Sequence, residues 1–157
     1  MRLLKSYGTH NPILIQVLQN TTGPILELGA GPFSTPLIHW LCAESGRKVE
    51  TYDDEKEYFD FADQFKSRNH KIRLVKDWDT VGEGKHWGVV FIDHKTERRA
   101  IDALRLKDFA DYIILHDSET DHYGYSQVYP HFKYVYQWDF CEPWTAVLSN
   151  IKQLPSH

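Results

Sequence analysis

The stretch from Ile25 to Trp40, ILELGAGPFSTPLIHW, constrains the fold more than any other part of the chain. Ile25, Leu26 and Leu28 form the apolar run of a strand covered on both faces. Gly29-Ala30-Gly31 follows at once, and glycine lets a backbone turn sharply and approach a ligand closely. Ser34 or Thr35 can cap the next helix, and Pro36 suits its first turn. Leu37, Ile38 and Leu41 supply its apolar stripe. A strand, a glycine turn and a helix in this order aim free N–H groups at whatever lies over the glycines.

The same alternation runs through most of the chain. Asn11-Pro12 reads as an N-cap with proline at the first helical position, and Ile13, Leu14, Val17 and Leu18 follow at helical spacing. Strands are expected at Lys48–Tyr52, Ile72–Val75, Val89–Ile92 and Tyr112–Leu115. Helices are expected at Glu55–Ser67, with Tyr58, Phe59, Ala62 and Phe65 inward, and at Thr96–Phe109, with Ile101, Leu104 and Leu106 inward. Gly82-Glu83-Gly84 marks a short link where a further helix would stand. Ser118–Pro130 is a polar, tyrosine-rich loop or short helix. Lys133–Phe140 and Thr145–Ser149 read as an antiparallel hairpin. These elements imply an α/β fold: a Rossmann-like, doubly wound sheet of five parallel strands plus a C-terminal antiparallel hairpin, in one domain of 157 residues.

In open α/β sheets ligands bind beyond the carboxyl ends of the strands. The strands here end in acids: Glu27, Asp53, Asp77, Asp93 and Asp117. Asp53 lies roughly twenty residues past the glycine turn, where an acid can accept from both ribose hydroxyls; Asp54 is its neighbour and rival. A net charge of −4 without a basic cluster argues against nucleic-acid binding. No apolar run approaches a membrane span. The start of the chain lacks a signal-peptide core, and two cysteines do not make a disulfide framework, so a cytoplasmic protein is expected.

The spelling E-x-G-x-G-x-x-S, from Glu27 to Ser34, resembles motif I of the class I S-adenosylmethionine (SAM) methyltransferases, and the sheet of five parallel strands plus a hairpin is theirs. The resemblance covers Asn11 to Ser149. It implies SAM as cofactor, with Glu27, Gly29, Ala30, Gly31 and Ser34 around its methionyl part, Asp53 on the ribose, and Asp77 and Trp78 at the adenine. VVFIDHKTERR resembles the VFxDH stretch of the catechol O-methyltransferase group, whose strand-four and strand-five acids bind a divalent metal. Asp93 and Asp117 match those acids. Ser118 replaces the asparagine beside the second, and Lys95 stands one residue too early for that group's lysine. Serine is a poorer neutral ligand for a hard cation, so no metal is expected, and Asp93 and Asp117 are read as polar groups at the pocket floor. His94 and His116 beside them are candidate bases.

In the same family, N-terminal segments often fold over the cofactor, which would bring His10 to the methyl group. The loop after strand five often lines the acceptor pocket, which would place Tyr123, Tyr125 and His122 there; Tyr129 and His131 are read as edge packing. The expected catalytic set is therefore Asp93, His94, His116, Asp117 and His10, acting on a small-molecule acceptor. The arm, the loop after strand five or a second subunit of a homodimer would enclose that acceptor. Other readings are a SAM-binding module without transfer, a SAM-cleaving enzyme, and a nicotinamide-dependent enzyme; the absent third glycine counts against the last.

Overall fold

Strands β1 (Ile25–Leu28), β2 (Val49–Asp53), β3 (His70–Leu74), β4 (Trp87–Ile92), β5 (Ala110–His116), β6 (Tyr134–Trp138) and β7 (Thr145–Ser149) form one sheet in a computed structural model of the chain. Their order is β3-β2-β1-β4-β5-β7-β6. The first five are parallel, and β7 runs antiparallel to β5 and β6, as expected. The structure describes residues 5–155; Met1–Leu4 of the arm lie outside them.

The central strands β1 and β4 are buried along their whole length, so neither face can be polar without a partner. Ile25, Val89 and Phe91 face helices α1 (Asn11–Gln19) and α2 (Ser34–Ser45) in one apolar layer. Leu26, Leu28, Val90 and Ile92 face helix α4 (Thr96–Leu106) and the loop after β5 in the other. Helix α3 (Lys56–Asp63) sets Ala62 against Ile72 of β3.

The departures from the sequence reading have local causes. His10, not Asn11, precedes the first turn of α1, and Pro12 lies within that turn. Neither Ser34 nor Thr35 caps α2. Phe33 holds the cap position without a side-chain bond, and both residues turn inward toward Glu27. That rotation leaves Leu41 40% exposed and makes Ser34, Thr35, Ile38 and Cys42 the buried face. Helix α4 likewise exposes Ile101 and buries Arg99, Asp102, Ala103 and Leu106, a helical spacing that includes two charged residues. The link before β4 holds only a 3-10 turn at Trp78–Thr80, and the loop after β5 folds into three such turns, the first at Asp121–Tyr123.

Candidate functional site

A cavity of about 550 Å³ opens at the carboxyl ends of β1, β2, β4 and β5. One end is bounded by Ala30, Gly31, Ser34 and Asp53, the other by His10, Asp93, His116 and Asp117. Nine of the expected site residues, these eight and His94, thus border one cavity though far apart in sequence.

The glycine turn is held from below. Gly29 has φ +97°, a conformation that side chains disfavour. A Cβ there would lie 2.5 Å from the backbone carbon of Asp93 and 2.6 Å from the His94 nitrogen. Gly29 therefore lets β1 turn directly against the end of β4, and it does not itself border the cavity. Asp53 accepts the Ala30 N–H at 2.8 Å and the Glu55 N–H at 2.8 Å, one on each oxygen. Each carboxylate oxygen keeps a second lone pair for a diol. Burial pushes the Asp53 carboxyl up to about 6, against the pull of those two amides. The rival Asp54 also borders the cavity and is ion-paired to Lys95.

Glu27 lies beneath this turn and does not border the cavity, which corrects its assignment to the methionyl group. It is fully buried on the face that packs against α2. Thr35 Oγ1 donates to both its oxygens at 3.0 Å and itself accepts the Gly31 N–H at 3.0 Å. Thr51 Oγ1 donates to the same carboxyl at 2.6 Å. When Glu27 is ionised the Thr51 hydroxyl proton is committed to it, and the 2.7 Å contact to His70 Nε2 is then an imidazole N–H donating to Thr51. His70 Nδ1 is then an acceptor, and His39 Nδ1 donates to it at 3.1 Å. A continuous hydrogen-bond chain runs from His39 through His70 and Thr51 to Glu27, then through Thr35 to the glycine turn.

Burial raises the Glu27 carboxyl to about 7, despite hydrogen bonds from Ser34, Thr51 and Thr35. A carboxyl whose folded-state pKa exceeds its unfolded value holds its proton more tightly when folded. Its stabilising contribution is full below the unfolded value, near 4.5, and is lost as pH rises through about 7. The shift corresponds to about 3 kcal/mol. Urea unfolding of wild type and Glu27→Gln between about pH 4 and 8 is expected to show this. The wild type should lose about 3 kcal/mol relative to the variant; parallel curves would exclude it.

At the other end Arg99, which the sequence reading passed over, organises both acids. Its Nη2 lies 2.8 Å from Asp93 Oδ1 and its Nη1 2.8 Å from Asp117 Oδ2. Nε donates to the His94 carbonyl at 2.7 Å, and the guanidinium stacks on Tyr123, 4.2 Å from the ring centroid. Asp117 has φ +58°, and Arg99 and the Tyr123 hydroxyl, 3.2 Å away, fix its carboxylate. Burial opposes ionisation of Asp93, but His116 and Arg99 outweigh it and hold the carboxyl near 2. His116 is raised because Asp93 outweighs its burial. His10 is pushed down to about 3 by burial and by the neighbouring His116.

Three further expected residues do not act in the cavity. Asp77 caps the Trp78–Thr80 turn by accepting the Asp79 N–H at 3.0 Å. Trp78 is a core residue packed on His94, which corrects its placement at an adenine; Asp77 is exposed and does not border the cavity. The His94 imidazole turns under α4, where Nε2 meets buried Asp102 at 2.8 Å, so it is not poised as a base. His122, Tyr123 and Tyr125 do not border the cavity either; Tyr125 is core, and its hydroxyl donates to the His116 carbonyl.

The hard-cation arrangement does not fit these residues. Arg99 spans the two acids, and the Ser118 hydroxyl accepts from Gln137.

No protein-family model and no curated protein matches the chain. Solved structures do. An O-methyltransferase from Bacillus cereus in complex with SAH is 15% identical, with a TM-score of 0.64 over 94% of this chain and 82% of that one. The N-terminal domain of human METTL16 in complex with SAH is 12% identical, with a TM-score of 0.66 over 96% and 73%. Cofactor-bound Rv0187 from MTB is 14% identical, with a TM-score of 0.69 over 97% and 83%. Strand order, hairpin and these likenesses agree: the chain has the class I methyltransferase fold.

Proposed function

We propose that the chain is a SAM-dependent methyltransferase acting on a small molecule. The observation that carries this reading is one cavity that joins the glycine turn and Asp53 to a second, chemically distinct cluster at His10, Asp93, His116 and Asp117. Its volume of about 550 Å³ falls within the range of small-molecule sites. The solved relatives whose titles name SAH or a bound cofactor support the choice of cofactor. The Bacillus cereus O-methyltransferase supports an oxygen acceptor.

The residues fit the cofactor in parts. Ala30 and Gly31 leave room over the turn, where Gly31 carries no side chain and has only Ser34 Oγ near its Cβ position. The first turn of α2 has no side-chain cap, which suits a carboxylate. Asp53, already fixed by two amides, would accept from the ribose hydroxyls. Bound there, SAM would supply an activated methyl group on a sulfonium. The chain's own contribution is to orient the acceptor and exclude bulk water. Asp93 and His116 would hold the acceptor, with Asp117 kept in place by Arg99.

Calorimetric titration with SAM, SAH and NAD in parallel tests the cofactor. Micromolar binding of the first two without NAD is expected, and NAD binding alone would overturn the reading. Asp53→Ala should weaken SAM by about 1–3 kcal/mol, the cost of stranding buried partners. If Asp54→Ala does this and Asp53→Ala does not, the ribose acid is Asp54.

A further inference from the structure

We propose that His10, Asp93 and His116 form a site for a divalent transition metal, distinct from the hard-cation site that Arg99 fills. One ligand atom from each of the three lies within 4.8 Å of the others. His10 is 1% exposed, and neither of its ring nitrogens has a hydrogen-bond partner. Leaving a buried polar group unmet costs about 1–3 kcal/mol, so both nitrogens of this imidazole are free to bind a ligand in the space it borders.

The neighbouring bonds fix which atoms of His116 and Asp93 are available. The Thr9 hydroxyl donates to the Pro143 carbonyl at 2.7 Å. The 3.1 Å contact between Thr9 Oγ1 and His116 Nε2 is therefore an Nε2–H donating to Thr9. That leaves His116 Nδ1 facing Asp93 Oδ2 at 3.3 Å. In the neutral imidazole Nδ1 turns its lone pair toward that oxygen, so a metal can take the place that a proton holds in the imidazolium. Two ligands each about 2.1 Å from a metal are about 3.0–3.4 Å apart at octahedral to tetrahedral angles, and this pair already has that separation. His10 completes the set if the widest gap closes by about 1.4 Å, from the present limit of 4.8 Å to that tetrahedral spacing.

The donors select the kind of metal. Two imidazoles and one carboxylate suit zinc, iron or cobalt, whereas magnesium and calcium prefer oxygen alone. The surrounding bonds are those a metal site uses: His116 donates its other N–H, to Thr9, and Arg99 fixes the second oxygen of Asp93. The three ligands leave positions open toward the cavity. Use of the metal there as a Lewis acid rests on the methyltransferase reading. A bound hydroxyl acceptor would lose its proton to solvent, its oxygen would bond to the methyl carbon, and the sulfur–carbon bond would break. The binding test below does not depend on that reading.

Protein stripped with chelator would be titrated with zinc by calorimetry and with cobalt by visible absorption. One equivalent of each is expected to bind, with affinity at least tenfold weaker in His10→Ala and in His116→Ala. His39→Ala, which breaks the other histidine pair, should leave binding unchanged. Absence of binding, or binding that survives both site variants or fails only in His39→Ala, would overturn the proposal. X-ray absorption of zinc-loaded wild type is independent of variant folding; two imidazole ligands are expected, and none would also overturn it. Because neither measurement involves SAM, failure here is distinguishable from failure of the methyltransferase reading.

Discussion

Gly29→Ala is expected to abolish cofactor binding and to lower stability by about 4 kcal/mol, the sum of a strained backbone angle and an overpacked contact. The new methyl group would meet main chain, not a side chain that could swing away: the Asp93 carbon at 2.5 Å and carbonyl oxygen at 2.6 Å. Relaxation is blocked on both sides. The Gly29 N–H donates to the Tyr52 carbonyl at 2.9 Å, and the Asp93 N–H donates to the Leu28 carbonyl at 2.8 Å. Any shift of the turn thus disturbs β1, β2 and β4 together. Gly31→Ala is the matched control for stability alone, since within the protein its added carbon would meet only Ser34 Oγ, at 3.3 Å. Urea unfolding of the two variants, with SAM titration of Gly29→Ala against wild type, decides the matter. A Gly29→Ala protein within about 1 kcal/mol of wild type would contradict the account of the turn.

Arg99→Leu is expected to destabilise the fold by about 3–5 kcal/mol, because it strands two carboxylates that share one buried cation. Arg99→Lys should recover little of this, since one ammonium cannot present a planar fork to Asp93 and Asp117 at once. The apolar substitution also removes the bond to the His94 carbonyl and the stacking on Tyr123. If the two acids are the cause, Arg99→Leu should cost much less when Asp93 and Asp117 are already asparagine. Denaturant curves for the four proteins test this; an equal cost in both backgrounds would locate the effect in packing.

The seven strands, five parallel and a C-terminal hairpin, were legible because apolar runs alternate with helical patterns and end in glycine or acid; their order in the sheet appears only in the structure. The site was legible only where a residue's position along a strand decides its role. Asp53, Asp93 and Asp117 end strands and border the cavity. Glu27 was misplaced because its nearness to the glycines suggested contact with a ligand. The strand alternation already sets it on the face of Ile25, and the register places it beside Thr51. Arg99 was missed because its partners, Asp93 and Asp117, come from two different strand ends, and no periodicity within α4 announces them. His10 and His116 are likewise distant in sequence, and only the fold sets their rings 4.7 Å apart. Trp78 shows the opposite failure: it occupies the position where a resemblance places an adenine contact, yet with the following helix lost it fills the core beside His94.

The hydrogen-bond chain from His39 to Glu27 bears on kinetics as well as on equilibrium. A buried acid usually waits for the protein to open before it exchanges its proton with solvent, and core opening is rare. Here two imidazoles and a hydroxyl reach Glu27 from a partly exposed end at His39. The acid can change charge while every strand stays in place. Thr35 joins that acid to the Gly31 N–H, so this path for a proton ends directly beneath a residue that borders the cavity.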